Sequence, residues 1–274
     1  MGWILILAAV APVVFLMHFI YIRDKYERDP FISVFMVYVA GFITVIPAAF
    51  AESLFTWVDK LGLIGLAISA WGVIAISEET VKYLALRYLA VPLRGFNEVY
   101  DGILYGVAVS LGFATVENAL YIFISGEQAI LVAVLRGLLA VPGHALWGVM
   151  MGYYVGKAKF EPDRRRQHAL VRRGWLMAVF WHGLYDFFAF GVEHLKGDMS
   201  GYFGLGVLAV IAINWMIGSV LIRRAQAESS FKRPSPMTNP VAAYLKSVKY
   251  CHSCGQPAPR SQLVCSRCGG EFRA

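Results

Sequence analysis

Residues Leu61–Val91 read LGLIGLAISAWGVIAISEETVKYLALRYLAV, an apolar run with Glu78, Glu79 and Lys82 in its middle. A run of this length is long enough to cross the roughly 30 Å hydrocarbon core of a bilayer as a helix. An ionisable side chain at the centre of such a span costs about 3 kcal/mol and marks a functional site by default. The rest of the chain has the same character: 58% of its 274 residues are hydrophobic and 16% are charged. A soluble domain carries about 25% charged residues.

Seven spans can be read: Trp3–Ile22, Phe31 to about Trp57, Leu61–Val91, Val99–Ile124, Ala129–Val155, Trp175–Val192 and Gly201–Ile222. They are continuously apolar, without the period-two alternation of a membrane barrel, so each is expected to be helical. The expected fold is an all-α polytopic membrane protein, a bundle of about seven transmembrane helices with a small C-terminal zinc ribbon. Basic residues concentrate in alternate connectors: Arg23, Lys25 and Arg28; Arg87 and Arg94; Lys157 to Arg173; Arg223 and Arg224. That pattern places the N-terminus outside and the C-terminus in the cytosol. It also accounts for the net charge of +7, so no nucleic-acid partner is expected. The start, MGWILILAAVAPVV, has no basic n-region and reads as an uncleaved anchor. Arg136, near the outer end of the fifth span, either snorkels or pairs with an acid inside the bundle. The expected division is a membrane domain over 1–224, a flexible cytosolic linker over 225–248 and a ribbon over 249–274.

All four cysteines lie in the last segment, as Cys251-x2-Cys254 and Cys265-x2-Cys268. Two CxxC knuckles supply four thiolates for one tetrahedral zinc. Gly255 and Gly269 follow the second cysteine of each pair, where a tight knuckle turn favours glycine. With four protein ligands the site is structural, and zinc supplies the folding energy that so short a segment lacks.

The spans hold further ionisable residues: Glu117 in the fourth, His144 in the fifth, His182 and Asp186 in the sixth. Singly, each has a structural explanation. Lys82 is i+4 from Glu78 and i+3 from Glu79, so it can neutralise one glutamate but not both. Glu117 could be protonated, His144 could be a packed histidine, and His182 with Asp186 could form an i,i+4 hydrogen bond. Together, two imidazoles and a carboxylate with a spare glutamate as base match a hydrolytic zinc site. Depths counted at about 1.5 Å per residue agree to within a couple of turns, with tilt or a kink at Pro142-Gly143 to close the gap.

EETVK (Glu78–Lys82) resembles the EExxK motif of the PrsW family of intramembrane proteases. Phe113–Glu117, with the preceding DG and YG, resembles that family's FxxxE motif, and HALWG and HGLYD resemble its two histidine motifs, in the family's order. The resemblance implies a membrane-embedded, metal-dependent endopeptidase distantly related to the CAAX prenyl endopeptidases. It implies a membrane-anchored protein substrate, possible substrates including an anti-sigma factor, in a bacterial cytoplasmic membrane. On this reading Glu117, His144 and His182 hold Zn2+, Glu78 or Glu79 activates the water, Lys82 tunes the glutamate pair and Asp186 orients His182. The ribbon lies outside the family's core and could serve a cytosolic protein partner. Two other readings compete: a non-catalytic scaffold or receptor using the same polar cluster, and a proton-relaying transporter. The order of the motifs favours the enzyme.

Overall fold

A computed structural model of the chain describes residues 2–232, 248–251 and 253–272. They divide into two compact units, Met1–Ser230 and Phe231–Ala274. Among the described residues, seven helical stretches are long and apolar enough to span a membrane, Trp3–Ile22, Phe31–Ser53, Gly62–Ala90, Val99–Ile124, Gly126–Lys159, Arg164–His194 and Asp198–Glu228. They are built from α1 (Gly2–Ile22), α2 (Phe31–Ser53), α3 (Gly62–Ala67), α4 (Ile76–Ala85), α5 (Val99–Ile124), α6 (Ala129–Leu138), α7 (Ala140–Lys159), α8 (Arg164–His194) and α9 (Asp198–Glu228). The multi-pass helical architecture expected from hydropathy is the one observed.

Helices α5 and α7 form the centre. They are buried almost all round, α5 continuously from Tyr100 to Ala114 and α7 from Ala140 to Gly156. Glycine lets them approach. A Cβ on Gly106 would lie 2.6 Å from the Gly148 carbonyl oxygen, and one on Gly148 would lie 2.7 Å from the Gly106 oxygen. Gly102, Gly152 and Gly156 continue the same seam, the small-xxx-small packing that joins helices in lipid. Helices α1 and α2 pack on α5, α8 and α9 on α7, and α4 sits between α2 and α8. Outward faces carry Trp3, Leu7, Phe15, Phe35 and Ile46, all exposed, as a lipid-facing surface requires.

Three features differ from the sequence reading. The third span is longer than a bilayer needs because it is not uniform helix: π-helical turns, Ile68–Ala75 and Leu86–Ala90, flank α4 on both sides. The fifth span is two helices, broken at Leu139 (φ −121°, ψ −63°) rather than at Pro142-Gly143. The physical reason is the proline itself. Its ring clashes with the carbonyl four residues back, a cost least felt in a first turn, where N–H groups lack helical partners anyway, although α1 and α2 carry Pro12 and Pro47 in their interiors. Pro142 thus falls in the first turn of α7. The sixth and seventh helices also outrun their apolar segments. Asp163 caps α8 by accepting from the Arg165 N–H at 2.8 Å, and RRRQHALVRR continues as helix because Arg, Gln, Ala and Leu are good helix formers. Helix α9 runs to Glu228, past the expected start of the linker; linker residues 233–247 lie outside the described residues.

In the second unit, β1 (Val248–Tyr250) pairs antiparallel with β2 (Pro257–Pro259). Gly255 and Gly269 adopt φ of 70° and 72°, closing knuckles in which their N–H groups donate to Cys251 and Cys265 carbonyls at 2.8 and 2.9 Å. The four thiols converge. Cys251 Sγ is 3.5 Å from Cys268 Sγ, and Cys254 Sγ is 3.6 Å from Cys265 Sγ. A tetrahedron with Zn–S bonds of about 2.3 Å has edges of about 3.8 Å. Backbone N–H groups of Cys254 and then Ser253 push the Cys251 thiol down to about 6, which favours the thiolate a metal requires.

Candidate active site

Four helices bring the buried ionisable residues together. From α4, Lys82 Nζ donates to Glu78 Oε2 and Glu79 Oε1, both at 2.9 Å. The i+3 and i+4 spacings place all three on one helix face. The sequence reading gave Lys82 one glutamate; the structure gives it both. Its ammonium also lies 3.1 Å from His144 Nδ1 and 4.1 Å from the centre of the Phe113 ring.

His144 in α7 has one nitrogen against a carboxylate, and His182 in α8 has both. His144 Nε2 is 2.8 Å from Glu117 Oε2 on α5. His182 Nδ1 is 2.9 Å from Glu79 Oε1. On His144, Glu117 places the proton on Nε2 and leaves the Nδ1 lone pair to accept from the Lys82 ammonium. On His182 both ring nitrogens face carboxylates, and Nε2 is the one nearer Glu78. His182 Nε2 is 3.9 Å from Glu78 Oε2 and 3.2 Å from Asp186 Oδ2. The His182 ring is thus held between Glu79 on one nitrogen and Asp186 on the other. Trp147 stacks on His182 at 4.0 Å and 14° and meets His144 edge-on at 4.9 Å, fixing both rings.

Donor atoms of Glu78, His144 and His182 lie within 4.8 Å of one another, and all three residues are buried. Glu117, the carboxylate expected with the histidines, is not in that group. It belongs one step out, held between His144 and Arg136, whose Nη2 is 3.0 Å away. Arg136 therefore pairs within the bundle; it also lies over the Tyr121 ring at 3.9 Å and donates from Nε to Asn118 Oδ1 at 3.1 Å. Asp186, expected to orient His182, lies at its Nε2, and Glu79 lies at its Nδ1. Glu79 Oε2 is buried without a partner, as is the Trp147 indole N–H. Glu52 stands at the edge, accepting from Ser77 Oγ at 3.2 Å.

Sequence reasoning missed Trp147, Asn118 and Glu52. The first sits inside the HALWG stretch and the second beside Glu117, so both were adjacent to residues already singled out. Neither is ionisable, which is why a search for charges passed over them. Glu52 was counted as part of an apolar span.

A family described as PrsW family intramembrane metalloprotease matches residues 29–219. A protein named Protease PrsW from Geobacillus kaustophilus (strain HTA426) is 35% identical over 231 residues, covering 84% of this chain and 94% of that protein. Another of the same name, from Bacillus subtilis (strain 168), is 36% identical over 183 residues, covering 67% of this chain and 81% of that protein. No solved structure matches the chain. The matched family region contains the whole polar cluster and ends before the four cysteines.

Proposed function

Because the chain belongs to the PrsW family of intramembrane proteases, we propose that it is a metalloendopeptidase acting on membrane-anchored proteins at the cluster between α4, α5, α7 and α8. The observation that carries this reading is the convergence of buried donor atoms of Glu78, His144 and His182 within 4.8 Å of one another. Two imidazoles and a carboxylate are the donor chemistry of a hydrolytic zinc site. The buried Glu79 Oε2, which has no hydrogen-bond partner, fits an electropositive occupant. When bound, a divalent ion there supplies Lewis acidity for a water nucleophile and for the scissile carbonyl.

The chain's own residues divide the remaining work. Glu78, His144 and His182 hold the ion. Glu117 and Glu79 fix the tautomers of His144 and His182, as carboxylates behind metal-binding histidines do. Asp186 Oδ2, 3.2 Å from His182 Nε2, takes the proton from the attacking water and returns it to the leaving amine. Lys82 balances the glutamates, and ion binding requires it to keep Glu79 while releasing Glu78 and His144.

That last requirement is also what favours a second reading. The Lys82 ammonium already bridges Glu78, Glu79 and His144, as it would in a scaffold whose polar cluster serves packing and partner binding. Metal analysis separates the two. The full chain is expected to carry two zinc ions, a variant with all four cysteines replaced by serine one, and His144→Ala one. A single zinc, lost with the cysteines, would leave the scaffold reading.

We take the substrate class to be membrane-anchored proteins, an anti-sigma factor among them, and the ribbon to be a structural zinc site available to a cytosolic partner. The basic connectors support a bacterial cytoplasmic membrane with the N-terminus outside and the C-terminus in the cytosol. An alkaline phosphatase fused to Ala274 should then be inactive; an active fusion would reverse the topology.

A further inference from the structure

The connector between α1 and α2 is not a solvated loop. Asp24 and Asp29, in RDKYERDP, are each 1% exposed, and Asp101, in the first turn of α5, is 0% exposed. One oxygen from each lies within 4.8 Å of the others.

Their hydrogen bonds are distributed in an orderly way. Asp101 Oδ2 accepts the N–H groups of Asn97 and Glu98, both at 2.7 Å, while its Oδ1 has no partner. Asp29 Oδ1 accepts from the Tyr105 hydroxyl at 2.8 Å, while its Oδ2 has none. Both oxygens of Asp24 have none. So the scaffold holds one oxygen of Asp29 and one of Asp101, and leaves the other of each, with the whole Asp24 carboxylate, buried and unpaired. That is how carboxylate ligands are oriented by the groups behind them.

The basic side chains nearby are engaged elsewhere. Arg28 Nε donates to the Asp24 carbonyl at 3.2 Å, Arg23 lies over Phe19 at 4.1 Å, and Lys159 donates to the carbonyls of Val91 and Phe96. Among the described residues no Lys or Arg nitrogen comes within 4.0 Å of the three carboxylates. Further acids add to the charge. Glu98 and Glu27 also face Asp24. Lys159 faces Asp29 and Asp101 but spends its hydrogen bonds on backbone carbonyls, and one ammonium leaves three buried carboxylates short of positive charge, which protons or a cation must supply.

We propose that Asp24, Asp29 and Asp101 form a second cation site, separate from the histidine cluster, which takes a hard divalent ion, Ca2+ or Mg2+, and clamps the α1–α2 connector to the start of α5. The chemistry is all oxygen, the ligand type of those two ions and not of zinc at an imidazole or thiolate site. The clamp matters to the bundle because Tyr100, on the same turn of α5, donates to the α1 carbonyl of Ile20 at 2.8 Å.

The test uses the full chain in detergent with Tb3+ as the probe, since tyrosine beside a carboxylate site sensitises its emission and Tyr105 touches Asp29. Saturable emission is expected from the wild type. It should survive in Glu78→Gln/His144→Ala and fall at least about tenfold in Asp24→Asn/Asp29→Asn. Displacement by millimolar Ca2+ or by Mg2+ identifies the ion. Equal emission from wild type and the aspartate variant, or no displacement by either ion, overturns the proposal and leaves acids that share protons. If the double variant does not fold, the wild type alone decides. After chelation, its Tm should rise by about 5 °C on adding the preferred ion, and no rise with either ion overturns the site.

Discussion

Glu78→Gln is expected to abolish cleavage of a membrane-anchored substrate, by about a thousandfold or more, and to remove the zinc of the membrane site with it. Glu78 is the carboxylate that shares the convergent group with both imidazoles, so the amide removes a donor. The neighbouring positions should separate from it. Asp186→Asn should lose a comparable factor in cleavage but retain the metal, because it removes the proton acceptor. Glu79→Gln keeps an oxygen for the His182 N–H and for Lys82, so its loss should be about 10- to 100-fold, the range for groups that orient a ligand. The measurement is turnover on a reconstituted single-span substrate together with zinc content per chain. Loss of zinc in Asp186→Asn would make Asp186 a ligand. Near-normal turnover in Glu78→Gln would remove the site as assigned.

Gly152→Leu is expected to prevent α5 and α7 from packing. Its side chain would enter the Gly102 backbone of the facing helix, where a Cβ already meets a carbonyl oxygen. Backbone has no rotamer to escape into, so the cost should reach or exceed the upper end of overpacking, about 3 kcal/mol. For a chain of this size that lowers Tm by about 10 °C. Function should fail too, since separating the helices breaks the 2.8 Å contact between Glu117 and His144. The control is Gly201→Leu in α9, where nothing lies within 4 Å of a built Cβ. Thermal unfolding in detergent compares them, and similar Tm values for the two variants would show that the glycine seam is not what joins the central pair.

Much of this was legible in the sequence because it is local. Hydropathy located the seven spans, i,i+3 and i,i+4 spacing joined Lys82 to the glutamates, and the CxxC spacing with trailing glycines described the knuckles. Partner choice across helices was not. Whether Glu78 or Glu117 meets the histidines depends on helix rotation and depth, and the π-helical turns around α4 change its phase in a way no hydropathy period records. The break at Leu139 rather than Pro142 follows from where a proline is tolerated, a rule that was available but applied to the wrong residue. The glycine seam was visible as G102xxxG106 and G148xxxG152xxxG156 and was overlooked in a search for charges. The burial of Asp24 and Asp29 in RDKYERDP was not legible either, since burial of a loop depends on what folds over it.

The contacts among Glu78, Glu79, Glu117, Asp186, Lys82 and Arg136 link four carboxylates to one ammonium and one guanidinium through two imidazoles. With the imidazoles neutral, that network carries a formal charge of two negative units, which a single divalent ion cancels. The loaded site would then present no net charge to the surrounding hydrocarbon, whereas an ion-free network must take up protons or open to water. On the proposed metal-binding reading, charge balance in the bilayer would tie the assembly of the bundle to the loading of this cluster.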